Sequence, residues 1–356
     1  MTTILGPGSS EITERFARIL GGKNVVQISY GATSPALSDR TNFPKFFRTV
    51  SPDSSHTAAL LAFVLHHKWY KVATLHEQDD KYSMSMTKLY SDLERVNITL
   101  ALTRSVSERD YKNQLQLIRA QDCRIIICNF SPSLYRKIFC EAHRMGMYGG
   151  DHAWILIGDS AESQWHNVSD PVCDDDQLKE ATQGVISIGS LYDVVDEQTP
   201  VSETTLPEIL QEIEFHSDSK SSGYIAQTYD AVWAMALALK ESEEYWKATN
   251  SSLTLKDFTY DNSLIADRIA KTISNLNFVG ISGPISFHKS DRIGITAFHQ
   301  RQGDKQQLIA IYTPDSPWLN FNCSNCSKAE WQGLSSFPFS RSYIYLIMDS
   351  QKLELV

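Results

Sequence analysis

The sequence lacks the features that mark membrane-spanning and nucleic-acid-binding chains. No apolar run approaches the roughly 20 residues that a membrane helix requires, and the run Tyr343-Ile-Tyr-Leu-Ile-Met348 is much too short. Met1 is not followed by a charged start and an apolar core, so we expect no secretory signal in the chain. Asp and Glu number 42 against 33 Lys and Arg, and the resulting charge of −9 argues against a nucleic-acid partner.

Motifs of common catalytic and metal sites are also missing. The chain has no Gly-x-Ser-x-Gly elbow, no Gly-Lys-Ser/Thr phosphate loop and no His-Glu-x-x-His zinc motif. A single Cys323-x-x-Cys326, without a second pair or a histidine, is weak evidence for zinc. Two-lobed α/β chains include many enzymes, but on these grounds we expect no enzyme, no cofactor and no metal.

What the chain does have is a regular alternation of short apolar runs and amphipathic segments. This alternation predicts a mostly parallel sheet covered by helices on both faces, and 356 residues are too many for one ordinary core. The β-branched run Asn24–Ile28 predicts a buried strand, after which Gly31, Thr33 and Ser34 follow. Ligands bind in such loops at the carboxyl ends of strands. The alternative, that Thr33-Ser34-Pro35 simply turns the chain, stays open on these residues alone.

Two further features indicate an extracellular protein. Asn-x-Ser/Thr glycosylation motifs occur more often than we would expect by accident, at Asn97, Asn129, Asn167, Asn250, Asn322 and Asn325. Of these we expect Asn97, Asn167 and Asn250 to carry glycans, whereas Asn129 ends a buried strand. The six cysteines allow fifteen pairings, so their number alone fixes no disulfide.

A long set of collinear motifs resembles one receptor family. Tyr30-Gly-Ala-Thr-Ser-Pro35-Ala-Leu-Ser and Phe43-Pro-Lys-Phe-Phe-Arg48-Thr closely resemble the extracellular ligand-binding module of metabotropic GABA (GABA-B type) receptors, and further matches follow at Trp154–Gly158, Thr228–Leu239 and Phe278–Gly283. The resemblance implies an α/β, two-lobed, periplasmic-binding-protein-like type I fold, the Venus flytrap of class C G-protein-coupled receptors. Its lobes close around a ligand.

The resemblance also implies a division of the chain. We expect lobe 1 over 1–52 and 190–283, lobe 2 over 53–189 and 284–312, and a C-terminal tail over 313–356. The family's first lobe starts with strand-helix units that have no counterpart here, so we expect an N-terminally incomplete flytrap. The spacing of Ile12, Phe16 and Ile19 predicts a helix over Glu11–Leu20 with these residues on one face. A lobe that lacks its opening units should have an unpaired strand edge and an exposed apolar helix face.

The site residues that the resemblance implies are those at positions that hold the ligand in GABA-binding subunits. Ser10, Thr33 and Ser131 stand where hydroxyl groups bind the ligand's carboxylate, and Ser34 lies in the same loop as Thr33. Val50 and Tyr224 stand where a histidine and a glutamate bind the amine, and Asp159 stands where a tryptophan stacks. The family's disulfide would join Cys140 to Cys173.

The chain departs from the GABA-binding pattern at the amine. A tyrosine at position 224 cannot neutralise an ammonium, and an unpaired buried charge is costly. Asp159 can replace the missing carboxylate or can merely cap the helix that follows it. We expect the ligand-sensing ectodomain of a GABA-B-like receptor, working on an amino-acid-like ligand or through a second receptor subunit, and reaching a G protein through a membrane domain. The alternative is a soluble solute-binding protein of a transport system.

Overall fold

A computed structural model describes residues 1–158, 173–191, 200–216, 224–314 and 316–331. The strands are β1 (Thr3–Leu5), β2 (Val26–Ser29), β3 (Phe46–Arg48), β4 (Lys71–Glu77), β5 (Thr99–Val106), β6 (Ile125–Asn129), β7 (Ala153–Ile157), β8 (Ile186–Ser190), β9 (Asn277–Gly280), β10 (Gly283–His288), β11 (Asp291–Arg292), β12 (Thr296–Gln302), β13 (Lys305–Thr313) and β14 (Ser316–Asn320). The helices are α1 (Ser10–Gly22), α2 (Thr57–His66), α3 (Asp80–Arg95), α4 (Tyr111–Ala120), α5 (Pro132–Met145), α6 (Asp175–Thr182), α7 (Leu206–His216), α8 (Ile225–Ala248) and α9 (Leu264–Asn275).

These elements form two compact units. Unit 1 comprises Met1–Pro52 and Leu191–Ile295, and unit 2 comprises Asp53–Ser190 and the chain from Thr296 on. Each unit has its own sheet and its own apolar core. The α/β class expected from the alternating pattern is confirmed.

Unit 1 is built on a sheet with the strand order β1-β2-β3-β11-β10-β9. Strands β1, β2, β3 and β11 are parallel, and β10 runs antiparallel to both of its neighbours, β11 and β9. Ile28 lies opposite Phe47, and Asp291 lies opposite Arg48. The buried side chains of β2 and β3 pack against α8 and α9, whose small and branched residues Ala231 and Ile269 are fully buried. Because β1, β2 and β3 run parallel, the loops that follow β1 and β2 leave the sheet on the same side, at the carboxyl ends of the strands.

Unit 2 is built on a sheet with the strand order β14-β13-β12-β8-β7-β6-β4-β5. Strands β4 to β8 are parallel, and β12 to β14 continue the sheet in antiparallel fashion. Apolar cores lie on both faces, one around Phe139 and Trp154 and the other around Phe63 and Phe298. Helix α5 begins with Pro132, which needs no hydrogen-bond acceptor there, and ends before Gly146 at a φ of 67°.

The chain passes from one unit to the other three times, and the third of these crossings differs from the expected position. The first two, placed after 52 and 189, lie within one residue of the observed positions, but the third falls after Ile295 and not after 283. The reason is that β10 and β11 pair with strands of unit 1. The predicted tail from 313 on also begins with β14, which pairs with β13 as part of the sheet.

Helix α1 turns an apolar stripe toward solvent. Thr13 and Ala17 are buried on its inner side, whereas Ile12, Phe16 and Ile19 are 48%, 48% and 68% exposed. We call these three side chains the α1 stripe. These side chains therefore form an exposed apolar surface on α1.

Candidate ligand-binding site

Two of the predicted ligand residues meet in unit 1. Ser10 is the first residue of α1, which follows β1, and Ser34 lies in the loop after β2. The backbone N–H of Ser34 donates a hydrogen bond to Ser10 Oγ at 3.1 Å. Thr33 immediately precedes Ser34, so Ser10, Thr33 and Ser34 lie close together.

A carboxylate that the sequence reasoning missed lies beside these hydroxyl groups. Ser34 Oγ donates to Glu14 Oε1 at 3.0 Å, and it accepts from the N–H of Ala36 at 3.3 Å. Glu14 is partly exposed and makes no ion pair within 4.0 Å in the part of the chain that the structure describes. The signal in the sequence was the spacing of four residues between Ser10 and Glu14, which places both on one helical face.

Arg48 holds the same loop from inside the protein. Its side chain is fully buried, and it donates to the carbonyl oxygens of Ala32 and Ser34, each at 2.9 Å. It also donates to Ser38 Oγ and to Asp291 Oδ1, each at 2.7 Å. The guanidinium therefore fixes the backbone on both sides of Thr33. The sequence reasoning used Arg48 only as part of a family motif and did not find this role.

Tyr224 lies against the glycine of this loop, directly before α8. Its side chain is 44% exposed, and its ring centroid lies 6.3 Å from that of Tyr30. A Cβ atom added at Gly31 would lie 3.1 Å from the carbonyl oxygen of Gly8 and 3.4 Å from Tyr224 Cε1. The close approach of three chain segments thus explains why a glycine is needed at position 31.

Val50 is placed differently from the other predicted residues of unit 1. It has no exposed surface and lies two residues beyond β3. Ser34 is also buried, at 3% exposed, and Ser10 is partly exposed, so of these three residues only Ser10 has a substantial share of its surface open to solvent.

The predicted residue of unit 2, Ser131, also lies beside a carboxylate. It precedes α5, its N–H donates to Glu77 Oε2 at 2.7 Å, and its hydroxyl group lies 2.8 Å from that of Ser133. Glu77 is the last residue of β4. Burial, helped by Glu77 and Asp79 among other carboxylates, raises the pKa of the nearby Tyr82 to about 12. Asp159 lies outside the described residues.

The cysteines form two disulfides among the described residues. Cys140 on α5 is bonded to Cys173, with 5.5 Å between their Cα atoms, and Cys323 is bonded to Cys326. Cys123 and Cys128 are free and buried, and burial raises the pKa of both thiols. The pairing of Cys323 with Cys326 leaves no thiolates there for a zinc ion.

The asparagine residues of the glycosylation motifs differ in their exposure. Asn97 and Asn250 are exposed residues with left-handed backbone that follow α3 and α8 closely. Asn167 lies outside the described residues. Asn129 is 4% exposed and its side-chain amide donates to Ser85 Oγ at 2.6 Å, in agreement with its place at the end of a buried strand.

The described residues contain neither a metal-binding cluster nor a helix that could span a membrane. Among them, no group of three or more His, Cys, Asp or Glu side chains is arranged to hold a metal ion. Within the same ranges, none of the helices combines the length and the apolar character needed to cross a membrane.

Comparison with known proteins gives the chain its family. It is 28% identical over 318 residues to gamma-aminobutyric acid type B receptor subunit 2 of Homo sapiens, which covers 87% of this chain and 33% of that protein. It is 29% identical over 326 residues to gamma-aminobutyric acid type B receptor subunit 1 of Caenorhabditis elegans, with 88% and 36% covered. A more distant relative, glutamate receptor 3.7 of Arabidopsis thaliana, is 23% identical over 304 residues, with 81% and 31% covered. The chain spans about a third of the length of these relatives, all of which are receptors.

A family model extends the likeness beyond single relatives. The model described as "Receptor family ligand binding region" matches residues 1–297. Together with the relatives, it confirms the resemblance to class C receptor Venus-flytrap domains and the periplasmic-binding-protein-like type I fold, and it does not favour the transport-protein alternative. The chain belongs to the receptor family ligand-binding region.

Proposed function

We propose that this chain is the ligand-sensing part of a receptor of the metabotropic GABA type, and that it recognises a small amine-bearing ligand through Ser10, Thr33, Ser34 and Tyr224 in unit 1. The observation that carries the proposal is the hydrogen bond from the Ser34 N–H to Ser10 Oγ, because it joins the start of α1 to the loop after β2, two segments that the family resemblance assigns to one ligand. The contact of Tyr224 with the Gly31 turn supports a third segment at the same place. Ser131 and Asp159 are the proposed ligand residues of unit 2.

Signalling in this proposal depends on a conformational change. A ligand shifts an equilibrium between two conformations only by the difference in its affinity for them. GABA itself should bind weakly, because Tyr224 and the buried Val50 stand where GABA-binding subunits have an amine-binding acid and a histidine. The ligand is therefore expected to differ from GABA in the groups that it presents to unit 1.

The proposed partner is a second receptor subunit, and a G protein is reached through a membrane domain of the complete receptor. The α1 stripe supports the proposal of a second subunit, because Ile12, Phe16 and Ile19 present apolar surface at helical spacing. The place in the cell that goes with this role is the extracellular side of the plasma membrane. The exposure of Asn97 and Asn250 is consistent with glycans at these two positions.

Calorimetry on the full chain tests the ligand-binding role. The probes are GABA, n-butylamine and butyrate, which share a four-carbon chain and differ in their charged groups. We expect at least one to bind, and we expect Ser10→Ala to weaken that binding by about three- to tenfold, the worth of one hydrogen bond. Ser91→Ala, which changes an exposed hydroxyl group on α3, is the matched control and should leave affinity unchanged. Absence of binding by all three probes would refute the role of this site.

A further inference from the structure

The second disulfide of unit 2 closes a very short loop. Cys323 and Cys326 are three residues apart and form a turn after β14, in which the Cys326 N–H donates to the carbonyl oxygen of Cys323 at 2.9 Å. In the chain-entropy account, a disulfide stabilises the folded state more when it closes a longer loop. Cys140 and Cys173 are 33 residues apart, so their bond has the larger effect. A structural role therefore explains the bond between Cys323 and Cys326 poorly.

The two disulfides also differ in their access to solvent. Cys323 and Cys326 are partly exposed, and the two residues between them are exposed. Cys140 is 3% exposed and lies in the apolar core around Phe139, against which Cys173 packs. Thiol–disulfide exchange begins when a thiolate attacks a disulfide sulfur, so its rate depends on access to that sulfur. A thiol in solution therefore reaches Cys323 and Cys326 more readily.

The remaining cysteines of the chain do not compete for this disulfide. Cys123 is 2% exposed, and Cys128 has no exposed surface. Burial raises the pKa of both thiols, whereas the nucleophile in exchange is the thiolate. A thiol from outside the protein is therefore needed to open the bond between Cys323 and Cys326.

The chain after the disulfide is held to the sheet of unit 2 by bonds of its own. We call residues 327–331 the strap. The Ser327 N–H donates to the carbonyl oxygen of Leu308 on β13 at 2.7 Å. Gln300 on β12 has no exposed surface, and its side-chain amide donates to the carbonyl oxygen of Glu330 and accepts from the Glu330 N–H, each at 2.7 Å. These contacts involve no cysteine, so they do not depend on the disulfide.

The strap has further contacts, and β14 is fixed on the other side of the turn. Gln302 Nε2 donates to the carbonyl oxygen of Lys328 at 2.8 Å. The ring centroid of Trp331 lies 5.4 Å from that of His67 and 5.8 Å from that of Trp69. Strand β14 pairs with β13. The two cysteines thus lie between two anchored segments, which keep their sulfur atoms near each other when the bond between them is broken.

The reduced form also fits the local structure. The carbonyl oxygen of Asn320 lies 3.8 Å from Cys326 Sγ, within reach of a thiol S–H, which is a weak donor. After reduction, Cys326 therefore has an acceptor at the end of β14 without any rearrangement of this strand.

We infer that Cys323 and Cys326 form a site of reversible thiol–disulfide exchange. A small dithiol reduces this site while unit 2 stays folded, and the strap holds the two cysteines together so that the same pair forms again on oxidation.

The exchange consists of two steps. One thiolate of the dithiol attacks a sulfur of the pair, a mixed disulfide forms, and the other cysteine leaves as a thiolate that takes up a proton. The second thiol of the dithiol then attacks the dithiol's own sulfur in the mixed disulfide and releases the remaining cysteine. The protein gains two electrons and two protons, and the dithiol becomes a cyclic disulfide.

Timed reduction of the full chain with dithiothreitol tests the reactivity. Samples are alkylated at intervals, and peptide mapping gives the reduction rate of each disulfide. In the folded protein, the bond between Cys323 and Cys326 should open at least about tenfold faster than the bond between Cys140 and Cys173, which is the internal control. In urea that unfolds the chain, this ratio should fall by at least about threefold, because the two disulfides then differ less in access.

Hydrogen exchange and re-oxidation test the role of the strap. After selective reduction, the Glu330 amide should keep its protection, since its acceptor is Gln300. After removal of dithiothreitol, oxidised glutathione should restore the same disulfide. Gln300→Ala, with the partly exposed Gln302→Ala as a milder second variant, should raise the share of protein that stays mixed with glutathione by about twofold or more. Gln121→Ala, which changes an exposed glutamine directly after α4, is the matched control.

Three results would overturn the inference, and none of them involves the ligand of the proposed function. Equal reduction rates for the two disulfides in the folded protein would show that the exchange is not selective. Loss of Glu330 protection on reduction would show that the strap depends on the disulfide. Equal shares of mixed disulfide in Gln302→Ala and Gln121→Ala would show that the strap does not hold the cysteines together.

Discussion

Replacing Arg48 by methionine should destabilise unit 1 and release the candidate ligand loop. The guanidinium is fully buried and is the hydrogen-bond donor for two carbonyl groups, one hydroxyl group and one carboxylate. Methionine fills much of the same volume but donates nothing, so the Asp291 carboxylate and the carbonyl oxygens of Ala32 and Ser34 lose their partner.

The magnitude follows from the burial of the pair. Removing one partner of a buried ion pair typically costs about 3–5 kcal/mol, because an uncompensated charge remains. The side chain of Asp291 is 18% exposed, so water can solvate it in part and the lower half of this range applies. We therefore expect a loss of about 3–4 kcal/mol, and a smaller loss when Asp291→Asn is combined with the Arg48 substitution.

Urea denaturation followed by circular dichroism measures the loss, and hydrogen exchange locates it. A loss of this size should lower the midpoint for unit 1 by roughly 1–2 M. The amide of Ser34 should exchange faster, since its acceptor Ser10 Oγ depends on the position of the loop. Arg15→Met is the control, because its ion pair with Glu11 is exposed and worth at most about 1 kcal/mol.

One result would refute the reasoning. If Arg48→Met cost less than about 1 kcal/mol, no more than the control, the buried network would not support the loop. The same conclusion would follow if the protection of the Ser34 amide stayed unchanged.

Three further predictions concern disulfide bonding, pH and the α1 stripe. Peptide mapping without reductant should recover Cys140 linked to Cys173, and free thiols at both positions in secreted protein would contradict this assignment. Burial lowers the pKa of His56 to about 4 in the folded chain, so its contribution to stability is complete above pH 6.5 and falls by about 2 kcal/mol at pH 5. His56→Gln should therefore reduce the decline of the unfolding free energy between pH 6.5 and pH 5. An unchanged slope of unfolding free energy against pH would contradict the role given to His56. Phe16→Arg together with Ile19→Glu should change stability by less than about 1 kcal/mol, since both side chains are largely exposed, while reducing self-association or subunit binding in sedimentation experiments.

Local signals in the sequence were sufficient for the elements of the fold. Helix α5 spans Pro132–Met145, and both of its ends carry local signals, because proline at the first position and glycine after the last act through neighbouring residues only. The strand before Gly31 and the alternation of strands and helices were likewise visible as apolar periodicity. The family followed from collinear motifs, which need no knowledge of contacts.

The boundaries of the units required the pairing of strands. Strand β11 lies beside β3 with Asp291 opposite Arg48, although 243 residues separate them in the chain. Periodicity shows that a segment is a strand but not which strand it joins, so the third crossing was placed twelve residues too early. The same limit explains why β14 was assigned to the tail.

The chemistry of the candidate site was decided by tertiary contacts. The family resemblance implied that Ser10 and Thr33 are ligand residues, and it offered only Asp159 as a replacement for the carboxylate that is missing at Tyr224. A resemblance compares one position at a time, so it does not show which charged side chains lie beside the hydroxyl groups. The structure adds Glu14, whose carboxylate accepts a hydrogen bond from Ser34. The two residues meet because α1 and the loop after β2 follow the carboxyl ends of two neighbouring parallel strands. Composition and motif order thus determined the fold class and the family, whereas the sign of the charge beside the hydroxyl groups depended on which side chains the sheet brings together.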